Sequence, residues 1–210
     1  MPDTIIQPSF TVGALQGPFG NGAVINMALG PHAEGLVSQL DAPYRMGVRN
    51  GATYFACNQA ATTTTIALAA TYTGCLVYNP ITSVKNLSIL KVSCSIWAAA
   101  GGIVAVGLLG GWAATGVTAH TTPLDVYGAK TLAAVVPYGG ADAAATLVGT
   151  PIWLCMLNSA NTSAALSVSN QPVIHDIGGA FEVPPGGYIA VGTQTVADVV
   201  ASIWWKEVDP

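Results

Sequence analysis

The sequence predicts an all-β protein that folds as an antiparallel two-sheet β-sandwich or jelly roll. Thr, Val, Ser and Ala fill the periodic segments, and 24 glycines and 13 prolines separate them, which is a composition typical of strands and turns. About eight to ten short strand-like segments follow one another between turn signals. No long amphipathic helix alternates with these segments, so the pattern does not indicate a βαβ architecture.

Residues 1–45 differ from the rest of the chain, because prolines and glycines interrupt every short apolar piece. Asn21-Gly22 is a tight-turn signal, and residues 33–40 are compatible with one short helix. A segment of this kind cannot bury a core of its own. We therefore expect an extended, irregular N-terminal arm or anchor over residues 1–45 and a sandwich domain over residues 46–210.

The first half of the domain contains the clearest strand. Short strands are predicted at residues 53–58, 64–70 and 72–78, each bounded by turn signals. Residues 87–97 show the clearest alternation of apolar and polar side chains in the chain, which predicts a half-buried antiparallel strand. One predicted face carries Leu90, Val92, Cys94 and Ile96, and the other carries Lys91, Ser93 and Ser95.

Residues 97–117, WAAAGGIVAVGLLGGWAATGV, are all apolar or small and reach the length of a membrane span. The glycine pairs 101–102 and 110–111 divide the stretch, and the apolar core between them has the length of a strand. No cluster of Lys or Arg flanks it to set a topology. We predict a buried strand between glycine-rich turns, with a membrane-inserted segment as the alternative.

The second half of the domain begins with a predicted loop at residues 115–123 and short strands at 126–127 and 131–138. Residues 141–148 are rich in Ala, the best helix former, and predict a short helix. Residues 152–157 form a compact apolar run, which predicts a central strand.

The chain closes with predicted strands at residues 173–177, 180–183, 188–192 and 199–208. In the last of these, successive side chains point to opposite faces, so Trp204 and Trp205 lie on different sides. We expect one side to be buried and the other to contact another molecule. Val199, Ala201, Ile203 and Trp205 share one face, and Val200, Ser202, Trp204 and Lys206 share the other.

Ionised side chains are scarce. They make up 8% of the residues, with a net charge of −4, against roughly 25% in an ordinary soluble domain. A free monomer of this size normally carries more charge for solubility, so we expect much of the surface to be neutral or covered by other chains. The six basic residues are spread thinly and give no nucleic-acid-binding footprint.

The sequence contains no catalytic or metal-binding pattern. His175 and Asp176 are adjacent in a predicted strand and point to opposite faces, no G-x-S-x-G motif occurs, and no Asp-rich metal loop is present. We expect a protein that is not an enzyme and holds no cofactor or metal. Four cysteines, in apolar surroundings without zinc spacing, are predicted as buried free thiols, although three disulfide pairings are compatible with the sequence. They are Cys57, Cys75, Cys94 and Cys155.

Two blocks resemble structural proteins of tailed-bacteriophage virions. The first is GATYFACNQAATTTTIALAATYTGCLVYNP followed by SVKNLSILKVS, and the second is VPPGGYIAVGTQTVADVVASIWWKEV. Similar phage proteins carry a Thr/Ala-rich strand pair, an Asn-Pro turn and a Lys-Asn-Leu step into an alternating strand. They end in a Pro-Gly-Gly-Tyr turn and a Trp-rich strand. The resemblance covers most of residues 51–208 and none of the first 45.

This resemblance implies a jelly-roll sandwich, similar to tumour-necrosis-factor-like trimers, that serves as a capsid decoration protein. The expected partners are further copies of the chain, as a homotrimer, and the major capsid protein or another virion protein. The expected location is the virion, after synthesis in the host cytoplasm, since the N-terminus has no secretory signal. Dimers and pentamers remain alternatives to the trimer. The candidate interface residues are Phe10, Phe19, Ile25, Leu36, Tyr44, Trp204 and Trp205.

A tail-fibre or baseplate component that binds a host receptor, such as a surface glycan, is the main functional alternative. It would present aromatic side chains at one end of the sandwich. The candidates for that role are Trp112, Tyr127 and Tyr138.

Overall fold

The computed structural model describes residues 9–11, 24–26, 44–64, 70–99, 102–147, 149–162 and 172–210. The chain divides into two compact units, Met1–Pro43 and Tyr44–Pro210. The described part of the first unit is an antiparallel ladder of β1 (Ser9–Thr11) and β2 (Val24–Asn26). The rest of the predicted irregular arm, including the helix at residues 33–40, lies outside the described residues.

The described part of the second unit consists of β-strands with one short helix, and its strands form two antiparallel sheets. The predicted all-β, two-sheet sandwich is therefore confirmed. Its elements are α1 (Arg45–Arg49), β3 (Thr53–Cys57), β4 (Thr62–Thr64), β5 (Thr71–Tyr78), β6 (Asn86–Ala99), β7 (Gly102–Trp112), β8 (Thr118–Pro123), β9 (Val126–Gly128), β10 (Ala134–Val135), β11 (Gly140–Thr146), β12 (Ile152–Thr162), β13 (Val173–Val183), β14 (Gly187–Thr193) and β15 (Ala197–Val208).

The chain passes repeatedly from one sheet to the other. The first sheet has the strand order β10-β9-β3-β15-β6-β13, with β4 paired to β15, and the second has the order β12-β7-β14-β5-β11-β8. The successive strands β5, β6 and β7 lie in alternate sheets, and so do β12, β13, β14 and β15. This wrapped connectivity is that of a jelly roll.

The main core lies between the two sheets. Trp205 is fully buried in it, together with Leu87, Ile89 and Ile203 from the first sheet and Leu108 from the second. The alternation is confirmed over residues 90–97 and 199–206, where every second side chain is buried, and it is broken at Ile89 and Leu90, which are both buried. Each buried aliphatic or aromatic side chain contributes about 1.5–3 kcal/mol relative to leaving it exposed.

The second sheet is also buried on its outer face. A separate apolar cluster there includes Tyr72, Leu109 and Tyr188, and all seven positions of β14 are buried. Aromatic rings lie flat over glycines of this sheet, so a Cβ added at Gly107 would stand 2.9 Å from the ring of Trp153. The glycines thus provide the space that lets rings cover the sheet.

Three predictions about local structure are wrong. Residues 141–148 were expected to be helical, but β11 is a strand paired with β5 and β8, because two ladders of hydrogen bonds outweigh the helix propensity of Ala. Residues 152–157 were expected to be a central strand, but β12 pairs with β7 alone and forms an edge. The predicted loop at 115–123 contains the edge strand β8.

The strand predicted within residues 97–117 is confirmed as β7, with buried Val104, Val106 and Leu108. Gly110 and Gly111 lie inside this strand rather than in a turn. Among the described residues, no helix has the length and apolar composition that crossing a membrane requires.

All four cysteines are free thiols, and Cys75 and Cys94 are buried as predicted. Burial raises the pKa of the Cys94 thiol to about 11, so this thiol is neutral at physiological pH. Cys57 and Cys155 are only half-buried, which corrects the expectation that all four are buried.

Candidate interaction surface

The outer surface of the first sheet remains accessible to solvent over most of its central strands. Helix α1 packs across one end of it, where a Cβ added at Gly47 would stand 2.8 Å from Oγ1 of Thr53 and 3.4 Å from Cδ of Lys206. We call the remainder the open face, and all its side chains are half-buried or exposed. It consists of Phe55, Cys57, Lys91, Ser93, Ser95, Tyr127, Ile174, Asp176, Val200, Ser202 and Trp204.

Three stacked rings form an aromatic row on the open face. Trp204 is the register partner of Phe55, and Phe55 is the register partner of Tyr127. The ring centroids of Phe55 and Trp204 are 4.5 Å apart at an interplanar angle of 17°, and those of Phe55 and Tyr127 are 5.5 Å apart at 23°. Such pairs contribute about 0.5–1.5 kcal/mol beyond their buried area. Because the ring faces meet one another, the ring edges point outward from the sheet.

A polar latch, made of Lys91, Asp176 and Tyr44, lies beside the aromatic row. Lys91 is the register partner of both Trp204 and Asp176. The Tyr44 hydroxyl donates a hydrogen bond to Oδ1 of Asp176. The Lys91 ammonium lies 4.0 Å from Oδ2 of Asp176 and 5.5 Å from the centroid of the Tyr44 ring. The hydrogen bond to Asp176, then burial, then the negative charge of Asp176 raise the pKa of Tyr44 to about 12.

The charges within the polar latch balance each other, because Lys91 and Asp176 have opposite signs. Both side chains are about half exposed, so their ion pair contributes little to folding stability. Along the next row, the hydroxyls of Ser93 and Ser202 are hydrogen-bonded at 2.8 Å. Ile174, the register partner of Ser93, is 72% exposed on the edge strand β13.

The predicted interface residues fall in different environments. Trp204 lies on the open face, and Tyr44 contacts it through the polar latch. Phe10 and Ile25 are register partners in the β1–β2 ladder, and Phe19 and Leu36 lie outside the described residues.

Trp205 is 0% exposed and offers no surface to another chain, which corrects its choice as an interface candidate. The reason is the alternation of β15, which turns Trp205 into the core when Trp204 faces outward.

Phe55 was missed by the sequence analysis. Its strand, TYFAC, shows no clean alternation, since Tyr54, Phe55 and Cys57 are all half-buried. The pairing of Phe55 with Trp204 depends on the register between strands far apart in sequence. The available signal was that Phe55 and Ala56 must face opposite sides, which places a large ring opposite a small core residue.

A histidine–carboxylate pair lies on the second sheet. Nδ1 of His120 is 2.6 Å from Oδ2 of Asp142, whose side chain is fully buried, and the ring of Tyr78 lies 4.5 Å from the His120 ring. Burial raises the pKa of the Asp142 carboxyl, and the hydrogen bond and charge of His120 partly oppose this. The pair joins β8 to β11.

The described residues show no constellation beyond this pair that would support catalysis. No hydroxyl or thiol among them is hydrogen-bonded to His120, so the pair has no nucleophile beside it. Nor does this part of the chain hold three or more His, Cys, Asp or Glu side chains grouped to bind a metal ion. His175 and Asp176 are both exposed, and Asp176 is engaged in the polar latch.

The open face is therefore the candidate functional surface. It combines stacked aromatic rings, an exposed isoleucine and balanced charge on a jelly-roll sandwich. No protein-family model, curated protein or solved structure matches this chain.

Proposed function

We propose that this protein is a non-enzymatic structural component of a bacteriophage particle, a capsid decoration protein that forms homotrimers and binds the major capsid protein or another virion protein. The observation that carries the proposal is the open face. Its aromatic row is half-buried and Ile174 is 72% exposed, whereas the outer face of the second sheet is covered by its own rings over the central strands.

The chemistry of the open face suits contact with another copy of the chain. Interface cores are depleted in charge and enriched in aromatic residues, and here three rings lie beside small hydroxyl side chains and one balanced ion pair. The outward ring edges can pack against aliphatic groups of a neighbour. Ile174 adds an apolar contact at the edge of the sheet.

The low charge of the whole chain supports the same proposal. With 8% charged residues, the protein has few ionised groups to keep it dissolved as a monomer. A standard interface buries about 800 Å² on each partner, which is larger than the aromatic row alone. The row therefore forms the centre of the contact, and the flanking strands form its rim.

The phage-like sequence blocks support a place in the virion. The Thr/Ala-rich strands, the Asn-Pro turn and the Trp-rich final strand occupy β3 to β6 and β14 to β15. In this proposal the chain is made in the host cytoplasm and remains in the particle. The N-terminal residues 1–45 attach the trimer to the capsid.

The self-association step is tested by native mass spectrometry of the purified full chain and of three variants. We expect a trimer for the unchanged chain and for the Ile103→Ala control, because Ile103 is 69% exposed and lies on β7 of the second sheet, away from the open face. We expect monomers for Trp204→Ala and for Ile174→Asp. The isoleucine variant keeps the test valid if Trp204→Ala fails to fold.

A monomer at micromolar concentration for the unchanged chain would overturn the proposed self-association. Trimers that persist in both open-face variants would place the contact elsewhere and would overturn the role of this face.

Capsid attachment is tested by co-sedimentation of the protein with capsids that lack it. The full chain should sediment with the capsids. A chain without residues 1–43, which leaves the second unit and its Tyr44 intact, should stay trimeric and remain in the supernatant. If neither form sediments with capsids, the decoration role is wrong even though the trimer stands.

A tail-fibre or baseplate component is the second candidate. The observation that favours it is the exposure of Trp112 and Tyr138, which are 56% and 50% exposed. Tyr127 does not support this candidate, since its ring is stacked in the aromatic row.

A further inference from the structure

Trp112 is a large side chain held in one orientation at the surface. It ends β7, its indole Nε1 donates a hydrogen bond to the carbonyl oxygen of Pro185 at 2.8 Å, and the side chain is 56% exposed. Its polar atom is therefore already satisfied within the protein. What it presents to solvent is an apolar ring surface whose position is fixed.

Three segments around Trp112, residues 79–85, 112–117 and 184–187, are tied together by hydrogen bonds. The Asn79 side chain, fully buried, donates to the carbonyl oxygens of Lys85 and Val183 at 2.7 and 2.9 Å. The backbone N–H of Gly186 donates to Asn79 O at 2.8 Å, and that of Ala113 donates to Gly186 O at 3.2 Å. A ligand that binds here has little loop ordering to drive, which lowers the entropic cost of binding.

Gly186 makes this close arrangement possible. Its φ is +84°, and a Cβ at this position would stand 2.6 Å from the carbonyl oxygen of Ala113, 3.1 Å from Ile81 and 3.2 Å from Nε1 of Trp112. Trp112 and Ile81 therefore both lie next to Gly186, and Ile81 is 46% exposed. Together they form a small apolar platform with a rigid floor.

The rim of this platform is neutral and rich in hydroxyls. Residues 79–85, 112–117 and 184–187 contain one charged side chain, Lys85, whose ammonium is paired with Asp209, and Thr82 and Thr115 are exposed beside the platform. A nucleic acid or an acidic peptide would need basic partners here. A neutral molecule with an apolar C–H face and many hydroxyl groups matches both the ring and the rim.

We propose that Trp112 is the platform of a binding site for neutral carbohydrate. A sugar ring stacks its C–H face on the exposed indole, and its hydroxyls bond to the threonine hydroxyls and carbonyl oxygens of the three segments. This inference does not depend on the trimer or on the virion position.

Trp97 provides a matched control. It is 74% exposed, so it tests whether any exposed tryptophan binds sugar. It lies at the other end of the sandwich, since β14 begins at Gly187 beside Trp112, whereas β15 begins at Ala197 beside Ala99. No hydrogen bond among the described residues fixes its ring.

The experiment is saturation-transfer NMR on the full chain with maltohexaose, cellohexaose, chitohexaose and dextran, followed by titration of any binder. We expect at least one of these to bind. Trp112→Ala should weaken that binding at least about tenfold, because it removes an aromatic contact together with its buried area. Trp97→Ala should change it by less than about twofold, as for a surface substitution away from the site.

Trp112→Phe separates the contribution of the aromatic ring to binding from that of the hydrogen bond. It keeps an aromatic surface but loses the bond to Pro185, so it should bind more weakly than the unchanged chain and more tightly than Trp112→Ala. Thermal melts show whether each variant is folded.

Several results would overturn the proposal. They are no binding by any of the four sugars, equal losses in the Trp112 and Trp97 variants, and a loss in Trp112→Ala that Trp112→Phe does not partly restore. A lower oligomer mass in Trp112→Ala without a change in sugar binding would assign this surface to contact between copies instead. Failure of the trimer test would leave the sugar result unaffected, so the two proposals fail separately.

Discussion

The outer faces of the two sheets differ in how far side chains of the same chain cover them. The second sheet covers the outer face of its central strands with its own side chains, and β14 is buried at all seven positions, while Ile103 on β7 and Met156 on β12 stay exposed. The first sheet leaves its outer face open, and β15 alternates between buried core residues and half-buried outward ones. This difference comes from the glycines of the second sheet, which leave space for aromatic rings to lie flat on the sheet. On the first sheet, the rings are stacked against one another.

Because of this difference, one face contributes mainly to folding stability and the other is available for contact with other molecules. Side chains on the covered face contribute to the free energy of unfolding of one chain. Side chains on the open face contribute less to that quantity and remain available for contact. Substitutions on the two faces should therefore affect different measurements.

The largest effect is expected for Leu109→Ala on the covered face. Leu109 is 1% exposed, so the change should lower the free energy of unfolding by about 2–5 kcal/mol through lost burial and a cavity. Val200→Ala on the open face, where the side chain is half-buried, should cost less than about 1 kcal/mol. Urea unfolding measures both, and equal losses would contradict the comparison.

Gly107→Ala should have the next largest effect. Its Cβ would stand 2.9 Å from the Trp153 ring and 3.0 Å from the carbonyl oxygen of Cys155, so we expect a loss of about 1–3 kcal/mol through overpacking. Adding Trp153→Leu should recover part of that loss, since the ring is one of the two obstacles. A double variant no more stable than expected from the two single changes would show that the ring is not the obstacle.

The Phe55–Trp204 stack is expected to give a smaller effect. A double-mutant cycle of Phe55→Ala and Trp204→Ala, measured by urea unfolding at low protein concentration, should give a coupling energy of about 0.5–1.5 kcal/mol. The pair Phe55 and Val200 serves as a control with no ring contact. A Phe55–Trp204 coupling no larger than that control would mean that the stack does not stabilise the single chain.

The smallest effect concerns a charge on the covered sheet. Burial raises the pKa of Asp142 above its ordinary value, so the folded state favours the protonated carboxyl. The resulting stabilisation is present at acidic pH and is lost as pH rises from the ordinary Asp value through the raised one.

Asp142→Asn stays neutral and keeps an oxygen that accepts from His120. Across that window its free energy of unfolding should rise relative to that of the unchanged chain, because only the unchanged chain loses this stabilisation. Thermal melts at several pH values measure this change. The opposite trend would show that the ion pair with His120 outweighs burial.

The sequence predicted those strands that bury one face only. Residues 90–97 and 199–206 alternate because their inner side chains enter the core and their outer ones do not. Residues 141–148 gave the wrong prediction because Ala fits a helix by propensity and a crowded sheet by size, and only pairing with β5 and β8 decides between them. Residues 152–157 are apolar on both sides although β12 is an edge, since Trp153 covers the outer face and Leu154 the core.

The candidate surface could be predicted only in part. Trp204 follows from the alternation of the last strand, but its partner Phe55 is more than a hundred residues away and meets it through strand register alone. The polar latch likewise joins Tyr44 to Asp176 across most of the chain. Contacts of this kind depend on the sheet order, which alternation within single strands does not contain.

The polar latch also determines how the sandwich responds to a pulling force. Tyr44 is where the second unit begins, and its hydroxyl contacts the edge strand β13 rather than a central strand. A force that pulls on Tyr44 from the preceding residues therefore acts first on the hydrogen bond between Tyr44 and Asp176 and on the short helix α1. It acts on the strand ladders of the first sheet only after that. Since these contacts lie outside the strand ladders, we expect them to break under a force acting at Tyr44 while the strands stay paired.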